Sequence, residues 1–239
     1  DSWRAPLVGF CSADDPLFNE LKKAVSPTHL LPHDLISSAR TAIAFFIPFG
    51  ESVAESNQGG RLASRTWAEL YVQTNDLIRA LGEHMKCLLG AEGYEAAAPP
   101  ATHNFDEVRL VSNWSHRHVA FIAGLGTFGL NNMLITRRGC CGRLGSLVTS
   151  LALPADERPA KEHCLYRYNS SCSLCVSRCV GKALFADGFD RHHCYALCRE
   201  NEALFKDLGK ADVCGKCLVG LPCSLTDPVE AMRRKQGQR

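Results

Sequence analysis

The pattern of apolar and polar positions predicts strands and helices that alternate through the first two thirds of the chain. Residues 41–49 (TAIAFFIPF) form a continuous apolar run rich in isoleucine and phenylalanine, which indicates a buried strand. A short helix over residues 34–40 is expected to lead into it. The polar stretch 51–60, rich in Gly, Ser and Asn, predicts a loop.

A long amphipathic helix is predicted after this loop. Apolar residues recur at helical spacing from Leu70 to Leu89, and Thr66 with Glu69 matches a capping box at the start. Gly90 or Gly93 is expected to end the helix. Helices mixed with apolar strands in this way indicate a layered α/β domain.

Three glycines form a second recognisable pattern. Gly124, Gly126 and Gly129 fit G-x-G-x-x-G, but the dinucleotide-binding motif needs a strand before it and a helix after it. Residues 117–123 have helical spacing and residues 133–136 resemble a strand, which is the reverse order. The glycines therefore indicate close backbone approach, either to a neighbouring element or to a flat ligand.

Composition and charge define the general class and a boundary. The chain has 239 residues, of which 46% are hydrophobic and 22% charged, as in globular proteins. No apolar run has the roughly 18 residues of a membrane span, and no signal peptide is visible in the chain, which begins at Asp1. We therefore expect a cytoplasmic protein without membrane contact. Residues 1–158 carry 14 basic and 16 acidic groups and residues 159–239 carry 13 and 9, too few basic groups for a nucleic-acid footprint.

Cysteines mark the same boundary. Nine of the 13 lie in the second segment, so we expect one domain over 1–158 and another over 159–239. Cys172-x2-Cys175-x3-Cys179 reproduces the last three positions of the bacterial ferredoxin run, in which the final cysteine binds a different cluster. Cys214, Cys217 and Cys223 supply the reciprocal thiols. The spacing predicts two 4Fe–4S clusters.

The ferredoxin pattern is followed with departures. The first cysteine of the run falls on Asn169, and Cys164 is the obvious replacement, at the small entropic cost of a longer loop. Cys194 lies between the two groups, and Cys198, four residues later, is an alternative ligand or a buried thiol.

Disulfide bonds and structural zinc are the alternative roles for these thiols. Disulfide bonds would suit a secreted chain, although the number of cysteines is odd. A structural zinc ion could use Cys172, Cys175, Cys214 and Cys217. Zinc does not explain the three-residue step to Cys179 or the additional cysteines.

The combined motifs resemble a known family. Arg117-x-x-Ala-x-x-Ala-Gly-Leu-Gly126-x-x-Gly129, then Leu134-Ile135 and Gly139-x4-Leu-Gly145, followed by the cysteine module, is similar to the epoxyqueuosine reductases, with reductive dehalogenases as more distant relatives. The resemblance covers about residues 35–225. It implies an α+β fold, with a nitroreductase-like α/β domain that holds cobalamin followed by a two-cluster bacterial ferredoxin-like domain.

The resemblance also implies site residues. One cluster would be held by Cys164, Cys172, Cys175 and Cys223, and the other by Cys179, Cys194, Cys214 and Cys217. Gly124, Gly126 and Gly129 would lie against the corrinoid.

One departure concerns the proton donor. The family has an aspartate a few residues before the matched arginine, whereas residues 108–116 contain no carboxylate. His116 and His118, which flank Arg117, are then the candidate catalytic acids. Residues two apart on a helix point to different faces, so we expect at most one of them to reach a pocket.

The expected function is electron transfer to a reactive centre. An external ferredoxin or flavodoxin would supply electrons, which pass through the clusters to a corrinoid or to a small-molecule or tRNA-linked substrate on the first domain. The alternative is a non-catalytic electron carrier or accessory protein that binds no corrinoid.

Overall fold

A computed structural model describes residues 1–101 and 105–237. The described strands are β1 (Leu7–Ser12), β2 (Thr41–Pro48), β3 (Ala96–Ala97), β4 (Phe105–Asp106), β5 (Val111–Ser112), β6 (Gly126–Phe128), β7 (Leu134–Thr136) and β8 (Gly142–Thr149). The helices are α1 (Leu17–Ala24), α2 (Pro32–Leu35), α3 (Glu51–Ser56), α4 (Arg65–Ala91), α5 (His116–Ile122), α6 (Leu165–Asn169), α7 (Leu174–Ser177), α8 (Arg191–Leu204) and α9 (Pro228–Gly237), with a 3₁₀ turn at Lys206–Leu208.

The main sheet is antiparallel, in the order β1-β2-β8-β3. Strand β2 is buried along its whole length because helices cover both faces of the sheet. Ala42 and Ala44 pack with α5 and α1 on one face, and Phe45 and Ile47 pack against Ile78 of α4 on the other. The buried strand and the mixed α/β class are thus confirmed, and strand β2 holds α4 and α5 on opposite sides of one layer.

Some local predictions were wrong. Residues 51–56 form α3 instead of a loop, because Val53 and Ala54 are buried against the start of α4. The cap of α4 is Ser64, whose hydroxyl oxygen accepts a hydrogen bond from the Trp67 amide, so the predicted capping box is not used. The short helix ends at Leu35, whereas residues 34–40 were expected to be helical.

The order of helix, glycine turn and strand is as predicted. Helix α5 ends at Ile122, Gly124 has a φ of +76°, and the β6–β7 hairpin follows. Among the described residues, no helix is both long and apolar enough to cross a bilayer.

The second segment consists of short helices and loops packed on the first. Trp67 of α4 shares a hydrophobic cluster with Phe205, Ala211 and Val219. Near the N-terminus, the Arg4 guanidinium donates hydrogen bonds to the Phe49 and Leu225 carbonyls. The two segments therefore share core, and the domain boundary at 158/159 stays a prediction.

Candidate metal centre

Four thiols meet in one apolar pocket. Burial, and then the nearby thiols of Cys223, Cys164 and Cys172, raise the pKa of Cys175 to about 12. The same four cysteines line a cavity with about 330 Å³ of atom-free space, walled by Leu130, Ile135 and Leu221 among others. The first thiol set, defined as Cys164, Cys172, Cys175 and Cys223, is the group of thiols that the family resemblance implies for one cluster.

A second set of thiols lies beside the first. Burial, and then Cys194, Cys214 and Cys179, raise the pKa of Cys217. These four residues form the second thiol set. The Cys175 thiol of the first set also raises the pKa of Cys217, so the two sets adjoin. The structure brings together the cysteines of both predicted sets, while their role as cluster ligands stays a prediction.

The number of thiols bears on the kind of metal. A structural zinc ion takes four ligands at one centre, whereas a 4Fe–4S cluster takes one thiolate on each of its four irons. Eight thiols in two adjoining sets of four fit two such clusters better than a single zinc ion.

The turn that carries Cys214 and Cys217 is shaped by its two middle residues. Gly215 has a φ of +71°, and a Cβ at this position would lie 2.4 Å from the Trp67 indole, so only glycine fits. The side chain of Lys216 is buried and its Nζ donates hydrogen bonds to the Asn57 and Gly59 carbonyls, at 2.9 and 2.6 Å. The α3–α4 connection therefore fixes the turn between Cys214 and Cys217.

The indole N–H of Trp67 is an orphaned donor next to this turn. Its Nε1 is buried and has no hydrogen-bond partner in the described part of the chain. A buried N–H group without an acceptor is costly, and cluster sulfurs accept such hydrogen bonds. The donor thus fits a cluster held by the second thiol set, and sequence reasoning missed it because Trp67 follows a helix start far from any cysteine.

Cys194 and Cys198 lie one helical turn apart on α8 and interact. The Cys198 thiol donates to the Cys194 sulfur, which lowers the pKa of Cys194 despite its burial and raises that of Cys198. Cys194 acts on both Cys217 and Cys214, and Cys198 also lies within reach of Cys214. The choice of Cys194 as the ligand therefore stays a prediction.

Cys140 is a thiol to which no sequence motif assigns a role. It is buried and makes a side-chain contact with Cys223, which raises the pKa of Cys223. The Cys140 amide also donates to the Cys223 carbonyl, at 2.9 Å. No local spacing signals this contact, because 83 positions of sequence separate the two residues.

The glycine turn faces protein. A Cβ on Gly124 would lie 2.5 Å from the Glu157 carbonyl oxygen, one on Gly126 2.1 Å from that of Ile135, and one on Gly129 2.6 Å from Asn131 Oδ1. Packing between elements of the chain therefore explains the small residues. The turn does not fit as an open cradle for a corrinoid, and cobalamin binding stays a prediction.

His116 is part of a buried hydrogen-bond network. Its Nε2–H donates to the Pro100 carbonyl at 2.9 Å, and its Nδ1 accepts from the Ser146 hydroxyl at 2.7 Å. The Ser146 oxygen in turn accepts from Trp114 Nε1. Burial lowers the pKa of His116 to about 4, so the ring is neutral near pH 7 and all of its polar atoms are satisfied.

His118 points elsewhere. It lines a surface cavity with Arg117, its Nδ1 is 2.7 Å from the Ser115 hydroxyl, and its ring packs on Phe128. Burial and then Arg117 lower the pKa of His118 to about 4. Of the two histidines, only His118 faces this cavity, and a catalytic role for either stays a prediction.

The thiol sets and the cavity can be compared with known proteins. No protein-family model and no curated protein sequence matches the chain. An epoxyqueuosine reductase from Streptococcus thermophilus is similar in structure, with a TM-score of 0.59 and 18% identity over 93% of this chain and 65% of that one. An epoxyqueuosine reductase with an epoxyqueuosine-modified tRNA stem loop has a TM-score of 0.61 and 17% identity, over 91% of this chain and 61% of that one. A catabolic reductive dehalogenase has a TM-score of 0.58 and 17% identity, over 96% of this chain and 31% of that one.

These similarities confirm the predicted resemblance at the level of the fold. The chain spans 61–65% of the length of these two epoxyqueuosine reductases. It therefore has the fold of the matched part of those enzymes.

Proposed function

We propose that this chain is an iron–sulfur oxidoreductase that holds two 4Fe–4S clusters. The observation that carries the proposal is the meeting of eight cysteines, interleaved in sequence, in two adjoining sets of four. Interleaving is the signature of two-cluster ferredoxin modules, because neighbouring cysteines of one run serve different clusters. The fold shared with two classes of reductase supports the same conclusion.

The clusters would supply one-electron transfer. The contribution of the chain is to hold the two ligand sets in contact through Cys175 and Cys217, and to surround the first with apolar side chains. The proposed donor is an external low-potential ferredoxin or flavodoxin. The proposed acceptor of the electrons is a substrate or a corrinoid in the cavity lined by Arg117 and His118. This cavity is chosen because the charge of Cys194, a member of the second thiol set, acts on the Arg117 guanidinium, so the cavity lies close to that set.

The substrate class is also a proposal. One structural neighbour is an epoxyqueuosine reductase with a tRNA stem loop, and another is a reductive dehalogenase with 3-bromo-4-hydroxybenzoic acid. A tRNA-linked or a small aromatic substrate is therefore the class to test first. The absence of a carboxylate in residues 108–116 separates this chain from the family's usual proton donor. His118 is the histidine that lines the cavity, but its lowered pKa leaves the ring neutral near pH 7, so its proposed role is that of a base or a hydrogen-bonding group.

Anaerobic reconstitution with iron and sulfide tests the cluster assignment. We expect about eight irons and eight sulfides per chain and a broad absorbance band near ~400 nm that bleaches on reduction. Stoichiometric zinc without acid-labile sulfide after the same treatment would refute the proposal. The variant in which Cys87, an exposed cysteine outside both sets, is replaced by serine is the matched control and should keep all of its iron.

A second function is favoured by one observation. Because the glycines of the turn are packed against protein, the chain is also compatible with an electron carrier or accessory protein that binds no corrinoid. Titration of the reconstituted protein with cob(II)alamin distinguishes the two. A spectral shift that saturates at one equivalent supports the enzyme, and an unchanged spectrum supports the carrier.

A further inference from the structure

A cavity lies next to the second thiol set, between α5, the β6–β7 hairpin and the start of α8. It contains about 1090 Å³ of atom-free space, including space open to solvent. Arg117, Arg167 and Arg191 line it, together with Phe128 and Phe189. The Cys194 thiol is among the charges that act on Arg117, so the cavity adjoins the second thiol set.

The charge of this cavity is one-sided. None of the described residues that line it is an aspartate or a glutamate. Arg117 is half-buried, and Arg191, Arg143 and Cys194 are the charged groups that act on it. Burial and these two cations lower the pKa of Arg117, although a guanidinium keeps its charge at any physiological pH.

No ion pair to the arginines at the rim of the cavity is found among the described residues. Asp190, the carboxylate next to Arg191 in the sequence, keeps its negative charge but accepts a hydrogen bond from the His193 amide as the cap of α8. Arg167 and Arg191 form no ion pair within the described ranges 1–101 and 105–237. A ligated Cys194 would compensate Arg117 from one side and leave the two arginines at the rim without a partner.

We propose that the cavity binds the oxyanion of a small organic ligand, a carboxylate or a phosphate, between the guanidinium groups of Arg117, Arg167 and Arg191. Arginine is suited to this role because its planar fork matches both anions. The Arg117 Nη1 is bonded to the Asn132 carbonyl, which orients the guanidinium at the base of the cavity. Phe128 and Phe189 supply apolar surface for the body of the ligand.

This inference deepens the proposed function, on which it rests only in treating the cavity as the substrate site. Anion binding itself needs no electron transfer. It can therefore be measured on the reconstituted protein by a method that does not involve turnover.

Isothermal titration with benzoate and, separately, with inorganic phosphate at low ionic strength tests the inference. Arg167→Gln and Arg191→Gln alter exposed side chains, so their folding is not at risk. Arg199→Gln is the matched control, because Arg199 is also exposed on α8 but is paired with Glu202. We expect at least one anion to bind the unmodified chain, and each rim variant to bind it about tenfold more weakly, as for the loss of a charge-assisted hydrogen bond.

The outcomes separate the ligand classes. Binding of benzoate alone assigns a carboxylate ligand, binding of phosphate alone assigns a phosphate ligand, and binding of both supports a general oxyanion site. Failure of both anions to bind, or equal binding by Arg191→Gln and Arg199→Gln, would overturn the inference. The iron content of the same samples distinguishes the two proposals. Full iron without anion binding refutes only this inference. Anion binding without iron refutes only the cluster assignment.

Discussion

The Nε1 atom of Trp67 lies 2.5 Å from the position that a Cβ on Gly215 would occupy. Helix α4 of the first segment thus places an indole against the turn that carries two thiols of the second set. The N–H group has no acceptor among the described residues. A sulfur of a bound cluster is an acceptor of suitable chemistry next to this turn.

Trp67→Phe should therefore lower the reduction potential of one of the two clusters. Hydrogen bonds to cluster sulfurs stabilise the reduced, more negative state, and phenylalanine removes the donor while it retains most of the ring. The measurement is a redox titration followed by electron paramagnetic resonance. Trp3→Phe is the control, because the Trp3 N–H is already bonded to the Thr74 hydroxyl. Unchanged potentials in Trp67→Phe would show that the indole N–H does not contact a cluster.

Gly215→Ala should cost the chain about half of its iron. The added methyl group would meet the Trp67 ring at 2.4 Å, and a φ of +71° is strained for alanine. The turn would have to move, and with it Cys214 and Cys217, the proposed ligands. Gly188→Ala is the matched control, since a Cβ there meets nothing within 4 Å, and it should keep its iron.

Double variants should reveal the interleaving of the ligands. Cys179→Ala combined with Cys217→Ala is expected to lose no more iron than either change alone, because both residues belong to the second thiol set. Cys179→Ala combined with Cys164→Ala should lose nearly all iron. Cys198→Ala should lose none. Iron loss in Cys198→Ala with full iron in Cys194→Ala would mean that the ligand on α8 is assigned to the wrong residue.

The stability of the chain should fall on acidification partly because of His116. Burial lowers the pKa of this ring from 6.5 to about 4, so the unfolded chain binds more protons than the folded chain between these two pH values. The contribution is complete above about pH 6.5 and is lost as the pH falls toward 4. It amounts to about 3 kcal/mol at most.

Denaturant unfolding from pH 7 to pH 4.5 measures this effect. His116→Gln should be less stable at pH 7, because the Ser146 and Pro100 contacts are disturbed, but should lose less stability on acidification. His84→Gln, which changes an exposed ring, should retain the slope of the unmodified chain. Equal slopes for all three proteins would contradict the assignment.

Local sequence patterns predicted those elements of the fold whose formation depends on residues close together in the chain. The buried strand β2 follows from a continuous apolar run, and the order of α5, turn and β6 follows from a change of period. The cysteine spacing predicted only that Cys179 would point away from Cys172 and Cys175, since short spacers restrict how a turn can aim its side chains, and the membership of the two sets was implied by the family resemblance. Helix α3 was missed because its polar composition resembles a loop and only the burial of Val53 and Ala54 against α4 stabilises it.

The remaining features depend on contacts between distant positions. Pairing of β2 with β8 joins residues that are about 100 positions apart, and the approach of Trp67 to Gly215 joins residues still farther apart. The contact of Cys140 with Cys223 and the gathering of Arg117 and Arg191 at one cavity have the same origin. No window of sequence contains both partners of such a contact.

The buried Lys216 links the turn between Cys214 and Cys217 to a distant loop. Its ammonium group donates hydrogen bonds to the carbonyls of Asn57 and Gly59, which lie more than 150 residues earlier in the chain. The shape of this turn therefore depends on the position of the α3–α4 connection. If the second thiol set holds a cluster, the iron content of the protein would also report whether that connection is intact.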